Sequence, residues 1–248
     1  MISFSKEQIF IVTGASSGLG EGTALLLNEL GASVVAIARN KERLMAMKNR
    51  CKYQENMHIE LKDLTEDIEN LPGYVKELKN KYGKFSGLAY CAGISDIKPV
   101  QLLNYGEMDH MFKINFFAPV MLAKGLIDRR NNVGKGTSIV AISSAEAILN
   151  DRGMTTYSSC KAALNAAFRA MAAETAPAGI RINTLLPSDI KTPMTMCAEA
   201  QSLREGREEK YPMGFGEVSD VANFAVFLLS DSAKWITRQN YIIDCGLI

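Results

Sequence analysis

The sequence predicts an α/β protein: a doubly wound parallel sheet of about seven strands with helices on both faces. Three observations carry this reading. Short continuous apolar runs, the mark of strands buried on both sides, alternate with stretches of helical length and pattern. No low-complexity linker or internal repeat breaks the alternation, so residues 1–248 read as a single domain. The clusters of Gly, Ser, Asn and Asp fall just after the expected strands, where sheets of this kind hold their ligands.

Taken in order, Ile9, Phe10, Ile11 and Val12 form the first strand, and Thr13-Gly14-Ala15-Ser16-Ser17-Gly18-Leu19-Gly20 ends it. A helix at 23–30 buries Leu26, Leu27 and Leu30 and stops at Gly31. A strand at 34–38, a helix at 41–50, a strand at 58–61, a helix at 72–82 and a strand at 87–90 continue the pattern. One long helix covers 105–129. Strand 138–142, an alanine-rich helix at 156–174 and strand 181–186 follow. Helical pieces at 198–209 and 218–229 and a strand at 241–243 complete the chain.

Composition excludes several function classes. With 28 basic and 27 acidic side chains the net charge is +1, so no global field draws the chain to nucleic acid or to a membrane surface. The five cysteines (Cys51, Cys91, Cys160, Cys197, Cys245) are scattered and contain no C-x-x-C pair. Reduced thiols are expected and a metal site is not. No apolar run is long enough to span a bilayer, and no signal peptide precedes the first strand; the expected location is the cytoplasm.

The loop Gly14-x-x-x-Gly18-x-Gly20, between the first strand and first helix, lets the backbone approach a pyrophosphate at a helix N-terminus. Ser16, Ser17 and Leu19 belong to the same cradle. Tyr157 and Lys161, four apart on a helix, share a face. An ammonium beside a phenol favours the phenolate and equips the pair for proton transfer. A Tyr-x-x-x-Lys pair is common in isolation, and a plain strand–helix turn also uses glycines. It is the combination that informs.

The combination resembles the short-chain dehydrogenase/reductase family, through the Thr-Gly-x-x-x-Gly-x-Gly loop and, thirteen residues before Tyr157, Ser144 at the end of Ile139-Val140-Ala141-Ile142-Ser143-Ser144. The resemblance runs from about residue 8 to 246. It implies a Rossmann-type fold and an oxidoreductase of the type that moves a hydride between nicotinamide and a carbonyl or secondary alcohol. Ser144, Tyr157, Lys161 and Asn115 would be the catalytic set: Tyr157 the general acid/base, Ser144 a hydrogen-bond donor to the substrate oxygen, Lys161 the group that lowers the tyrosine pKa and binds the nicotinamide ribose, and Asn115 the holder of a relay water. Asp63 and Leu64 match the adenine end, Ala92 and Gly93 the floor, and Pro187, Ile190 and Thr192 the nicotinamide end. A bare Asp at a strand end is also a helix cap.

The second strand ends Ile37-Ala38-Arg39-Asn40, with no acid to meet a ribose 2′-hydroxyl and an Arg able to grip a 2′-phosphate, so NADP(H) is favoured over NAD(H). Read alone, Arg39 is equally a solvated residue at a strand end. The chain departs from the family at Tyr90-Cys91, where two asparagines are usual, at Ser188 and at Cys245, where glycines are usual. A serine needing positive φ at 188 would be strained.

Specificity is expected in residues 194–212 (Met194, Met196, Leu203, Arg204, Arg207, Tyr211), with Glu146, Asn150, Asp151 and Arg152 as a polar second wall. That wall suits a sugar, polyol or thioester-borne acyl group. The layout is most similar to 3-oxoacyl-acyl-carrier-protein reductases and related bacterial carbonyl reductases, which makes a carrier-bound acyl group one possible substrate; Arg129 and Arg130 would meet the carrier or merely complement a helix C-terminus. A non-catalytic dinucleotide sensor is the alternative of another class. Alanines on more than one face of 156–174 suit helix packing between subunits, and the family implies a homotetramer or homodimer.

Overall fold

In a computed structural model, which describes residues 2–196 and 206–248, seven parallel strands lie in the order β3-β2-β1-β4-β5-β6-β7. The strands are β1 (Ile9–Thr13), β2 (Ser33–Ala38), β3 (Met57–Leu61), β4 (Gly87–Tyr90), β5 (Ser138–Ile142), β6 (Arg181–Pro187) and β7 (Asn240–Ile243). The chain starts in the middle, builds outward to β3, then returns to lay β4 on the other side of β1. That reversal leaves a crevice at the carboxyl ends of β1 and β4, the place where doubly wound sheets bind ligands. The fold is therefore of the Rossmann type.

Successive residues of a strand point to opposite faces, and the core divides accordingly. Phe10, Val12, Val34 and Ala36 face one layer with Leu27 of α1 (Gly18–Glu29), Leu44 of α2 (Lys41–Asn49) and Val221 of α9 (Val218–Leu229). Ile11, Val35, Ile37 and Tyr90 face the other. There they meet Val75 of α3 (Leu71–Tyr82), Leu122 of α5 (Ala118–Ile127) and Phe168 of α7 (Thr155–Thr175). Leu27 is buried in α1 as expected, whereas Leu26 and Leu30 are half-buried against the same layer. Asn40 caps α2 by accepting from the Arg43 amide at 2.8 Å, and Asn104 caps α4 (Tyr105–Phe112) by accepting from Glu107 at 3.0 Å. Two short helices, α6 (Glu146–Leu149) and α8 (Pro193–Met196), sit at the carboxyl rim.

The long helix expected at 105–129 is three segments. α4 passes into a π-helical turn, Lys113–Phe117, before α5 begins, and α5 ends at Ile127. Pro119 accounts for the break. It brings no amide hydrogen into the helix and its ring collides with the preceding turn, so the ladder is re-registered, with the Ala118 amide reaching back five residues to the Lys113 carbonyl.

Two departures from the family pattern resolve differently. Ser188 is not at positive φ, so a side chain there is unstrained, while Cys245 is at φ 58°. Glycine adopts that region freely and cysteine does not, so Cys245→Gly should raise the melting temperature by about 2 °C, the equivalent of somewhat under 1 kcal/mol of relieved strain. A drop in a thermal melt would mean that the contact from the Met213 amide to Cys245 Sγ, at 3.3 Å, outweighs the strain.

Candidate active site

A cleft of about 890 Å³ opens at the carboxyl ends of the strands, and the loops after β1, β2, β3, β4, β5 and β6 all reach it. The loop after β1 fits an anion. Gly14 stands at φ 66°, and a Cβ on Gly20 would lie 2.4 Å from the Gly14 carbonyl oxygen and 2.8 Å from that of Thr13. Only glycines allow this turn. Thr13 Oγ1 accepts from the amides of Cys91 (3.0 Å) and Ala92 (3.1 Å), tying the first loop to the one after β4. Ser17 precedes α1 without a side-chain cap, so the amides of the first turn keep their capacity for an anionic ligand. Gly14, Ser16, Ser17, Gly18 and Leu19 line the cleft; Gly20 lies behind them as the support of the turn. This donor set fits the pyrophosphate of a dinucleotide.

At the end of β2, the Arg39 side chain is 69% exposed and lies 3.5 Å from Asp63 Oδ2. Asp63 Oδ1 accepts from the Thr65 amide (2.9 Å) and hydroxyl (2.7 Å). Burial raises the pKa of this carboxyl, but the Thr65 hydrogen bonds and the Arg39 guanidinium outweigh it, so the net shift is downward. Asp63 is thus the local turn cap and the counter-ion of Arg39. Leu64 is buried at the floor beside it. Arg43 and Lys62 line this end too, and the sequence reading missed both. Their signal was available: Arg43 lies in the first turn of the helix that follows Arg39, and Lys62 adjoins Asp63.

At the other end the four expected side chains come together on the cleft wall. Lys161 donates from Nζ to the Ile142 carbonyl at 2.8 Å and lies 5.6 Å from the centre of the Tyr157 ring. Burial pushes its pKa down to about 8. Tyr157 is half-buried. Ser143 donates to the Lys161 carbonyl at 3.2 Å, fixing the helix against β5. Ser144 Oγ accepts from the Glu146 amide at 3.1 Å, a bond that does not use its own hydrogen. Asn115, fully buried in the π turn, donates from Nδ2 to Ile94 O at 2.8 Å and accepts from Ile94 N at 3.3 Å. A Cβ on Gly93 would lie 2.7 Å from Asn115 Oδ1 and 3.7 Å from Lys161 Nζ, so both polar groups converge on one small region beside the Ala92-Gly93 floor.

Across the cleft, the Thr192 side chain stands 3.4 Å from where a Gly18 Cβ would be, Ile190 is buried, and Pro187 accepts from the Ala145 amide at 2.9 Å. A network missed in the sequence closes the mouth. Arg207 donates to Asp189 at 2.6 Å and to Asp151 at 2.9 Å, and lies 3.4 Å from Glu146. Tyr211 donates to Asp189 at 2.8 Å and shares a 2.6 Å hydrogen bond with Ser188, the residue at the family's glycine position. Of the expected specificity segment, Leu203, Arg204 and most of the helical piece at 198–209 lie outside the described residues; Glu208–Lys210 is a 3₁₀ turn. Among the described residues no cluster of His, Cys, Asp or Glu is placed to hold a metal, and no helix is long and apolar enough to cross a membrane.

A family model described as enoyl-(acyl carrier protein) reductase matches residues 14–248. A 3-oxoacyl-[acyl-carrier-protein] reductase of Thermotoga maritima is 30% identical over 246 residues, 97% of this chain and 98% of that protein. An NAD-dependent glycerol dehydrogenase of Listeria innocua is 31% identical over 97% of this chain and 93% of its own length. A solved structure of a short-chain type dehydrogenase/reductase from Mycobacterium ulcerans superposes with a TM-score of 0.86 at 30% identity, covering 99% of this chain and 91% of that one.

Proposed function

The chain belongs to the short-chain dehydrogenase/reductase family of oxidoreductases, which act between carbonyls and alcohols, and from that premise we propose that it is NADP(H)-dependent, with Tyr157 as its general acid/base. The observation that carries this reading is the convergence of Ser144, Tyr157, Lys161 and Asn115 on one end of a cleft whose other end is a glycine cradle. A bound nicotinamide dinucleotide would supply the hydride, held by the residues of the Gly14–Gly20 loop, Arg39, Asp63, Leu64, Ala92, Gly93, Pro187, Ile190 and Thr192.

The protein's part is positioning and proton transfer. Ser144 donates a hydrogen bond to the substrate oxygen and stabilises charge developing there. Tyr157 gives its phenolic proton to that oxygen in reduction and takes one back in oxidation. Lys161, charged below a pKa of about 8, favours the phenolate by electrostatics and meets the nicotinamide ribose. Asn115 holds a water through which protons reach Lys161.

Relatives differ in coenzyme, so the preference for NADP(H) rests on this chain's own β2 end: no acid at Ala38, and Arg39, Arg43 and Lys62 together on the wall. Arg39→Ala should raise the KM for NADPH about ten-fold, the loss of one charge-assisted phosphate contact, and leave NADH unaffected. Equal effects on both coenzymes would overturn the assignment.

The substrate is a small polar carbonyl of sugar or polyol type in preference to a carrier-bound acyl group. Glu146, Asp151 and Asp189 line the mouth, and the Arg130 guanidinium, offered by the sequence for an acidic carrier, is taken by Asp128 at 2.5 Å. A carbonyl screen with NADPH tests the reading, beside fluorescence titration of NADPH: absence of binding would sink it, and binding without turnover on any carbonyl would favour a sensor. We infer a homotetramer or homodimer, since Ala162, Ala166, Ala170 and Ala173 form an exposed face of α7; light scattering of the purified protein decides.

A further inference from the structure

We propose that Tyr90 is a positioning residue for the proton relay: its phenol replaces the backbone donor that Pro119 withholds and so locks the π turn that aims Asn115 at Lys161. In a π register each carbonyl accepts from the amide five residues ahead, as Lys113 does from Ala118. The next carbonyl, that of Ile114, should accept from residue 119, which is proline and has no amide hydrogen. Tyr90 Oη donates to that carbonyl at 2.6 Å.

The bond is buried. Tyr90 is 1% exposed at the end of the central strand β4, and burial drives its pKa far above the ordinary tyrosine value, so the phenol remains a donor at every working pH. A carbonyl so placed and left without a partner destabilises the turn that carries it. The turn carries Asn115, whose side chain is held on both sides by the backbone of Ile94. Ile94 lies four residues past Tyr90 in the chain. Tyr90, the floor at Ala92-Gly93, Ile94 and Asn115 thus form one closed loop of contacts, with Lys161 Nζ at its inner edge. The residue that departs from the family's asparagine does a job of its own.

This inference rests on the proposed roles of Tyr157, Lys161 and Asn115, and the experiment separates its failure from theirs. Tyr90→Phe removes only the hydroxyl. With a substrate found in the screen, kcat should fall about ten-fold, the effect of one unsatisfied buried acceptor felt in the reacting geometry, with the KM for NADPH within about two-fold of wild type. The apparent pKa of oxidative turnover should move up, because a Lys161 deprived of its polar neighbour supports the Tyr157 phenolate less well. Val75→Ala, in α3 against α5 on the same side of the sheet, supplies a variant of comparable thermal stability with the loop of contacts intact, and should leave kcat and the pH profile unchanged. Wild-type kcat and pH profile in folded Tyr90→Phe, or an equal loss in Val75→Ala at matched melting temperature, would overturn the proposal. If Tyr157→Phe retains turnover, it is the catalytic assignment that fails instead.

Discussion

Tyr157→Phe should leave NADPH binding intact and lower kcat by about 10³-fold, within the range that positioned proton transfer contributes. The ring is retained, so the packing of α7 and the 5.6 Å approach of Lys161 Nζ to the ring centre are preserved. Only the phenolic hydroxyl is lost. The fall should therefore appear in kcat and kcat/KM together, the pattern of an interaction made in the transition state. Single-turnover kinetics would check it, and full turnover by the variant would remove Tyr157 from the chemistry.

Gly20→Ala tests the other end of the cleft and acts by a different route. The added Cβ would meet three backbone atoms, the Gly14 carbonyl oxygen at 2.4 Å, its carbon at 2.6 Å and the Thr13 carbonyl oxygen at 2.8 Å, none of which belongs to a flexible side chain. The turn between β1 and α1 must open, at a cost of roughly 3 kcal/mol in stability, and the first-turn amides move off the position the pyrophosphate needs. NADPH affinity should fall by about two orders of magnitude, equivalent to roughly 3 kcal/mol of lost binding. Gly106→Ala, whose Cβ would meet only an ordinary 3.6 Å contact with Asn104, should be neutral in the same titration. Tight binding by Gly20→Ala would show that the cradle is not where the coenzyme phosphates lie.

Local pattern made most of the fold legible. Apolar runs placed β4 and β5 to the residue, and the α9 boundaries, Val218 and Leu229, followed from periodicity. The candidate cofactor residues and Ser144 lay in short motifs at strand ends, which the doubly wound topology carries to one crevice, whereas Asn115, Tyr157 and Lys161 stand on helical segments and were legible through the family resemblance. What escaped was of two kinds. The helix expected at 105–129 took no account of Pro119, and the π register beside it meets a tertiary partner, Tyr90, that no local pattern supplies. Tyr90 itself registered as a missing asparagine rather than as a donor. The Arg207 network was illegible for another reason: its carboxylates lie 18, 56 and 61 residues away in the chain, and no spacing rule links groups that only folding brings together.

That guanidinium has a consequence for anyone who would re-engineer the enzyme. Its three carboxylate partners come from the segment after β5 and the segment after β6, while Arg207 itself comes from a third segment, before α9. The three stretches are a single inheritable unit. Grafting 194–212 from a relative without its matching partners would strand Glu146 and Asp189, both buried, with uncompensated charge. Substrate range in this chain should therefore be transplanted as three pieces together or not at all, and libraries that randomise one loop at a time will sample mostly broken mouths.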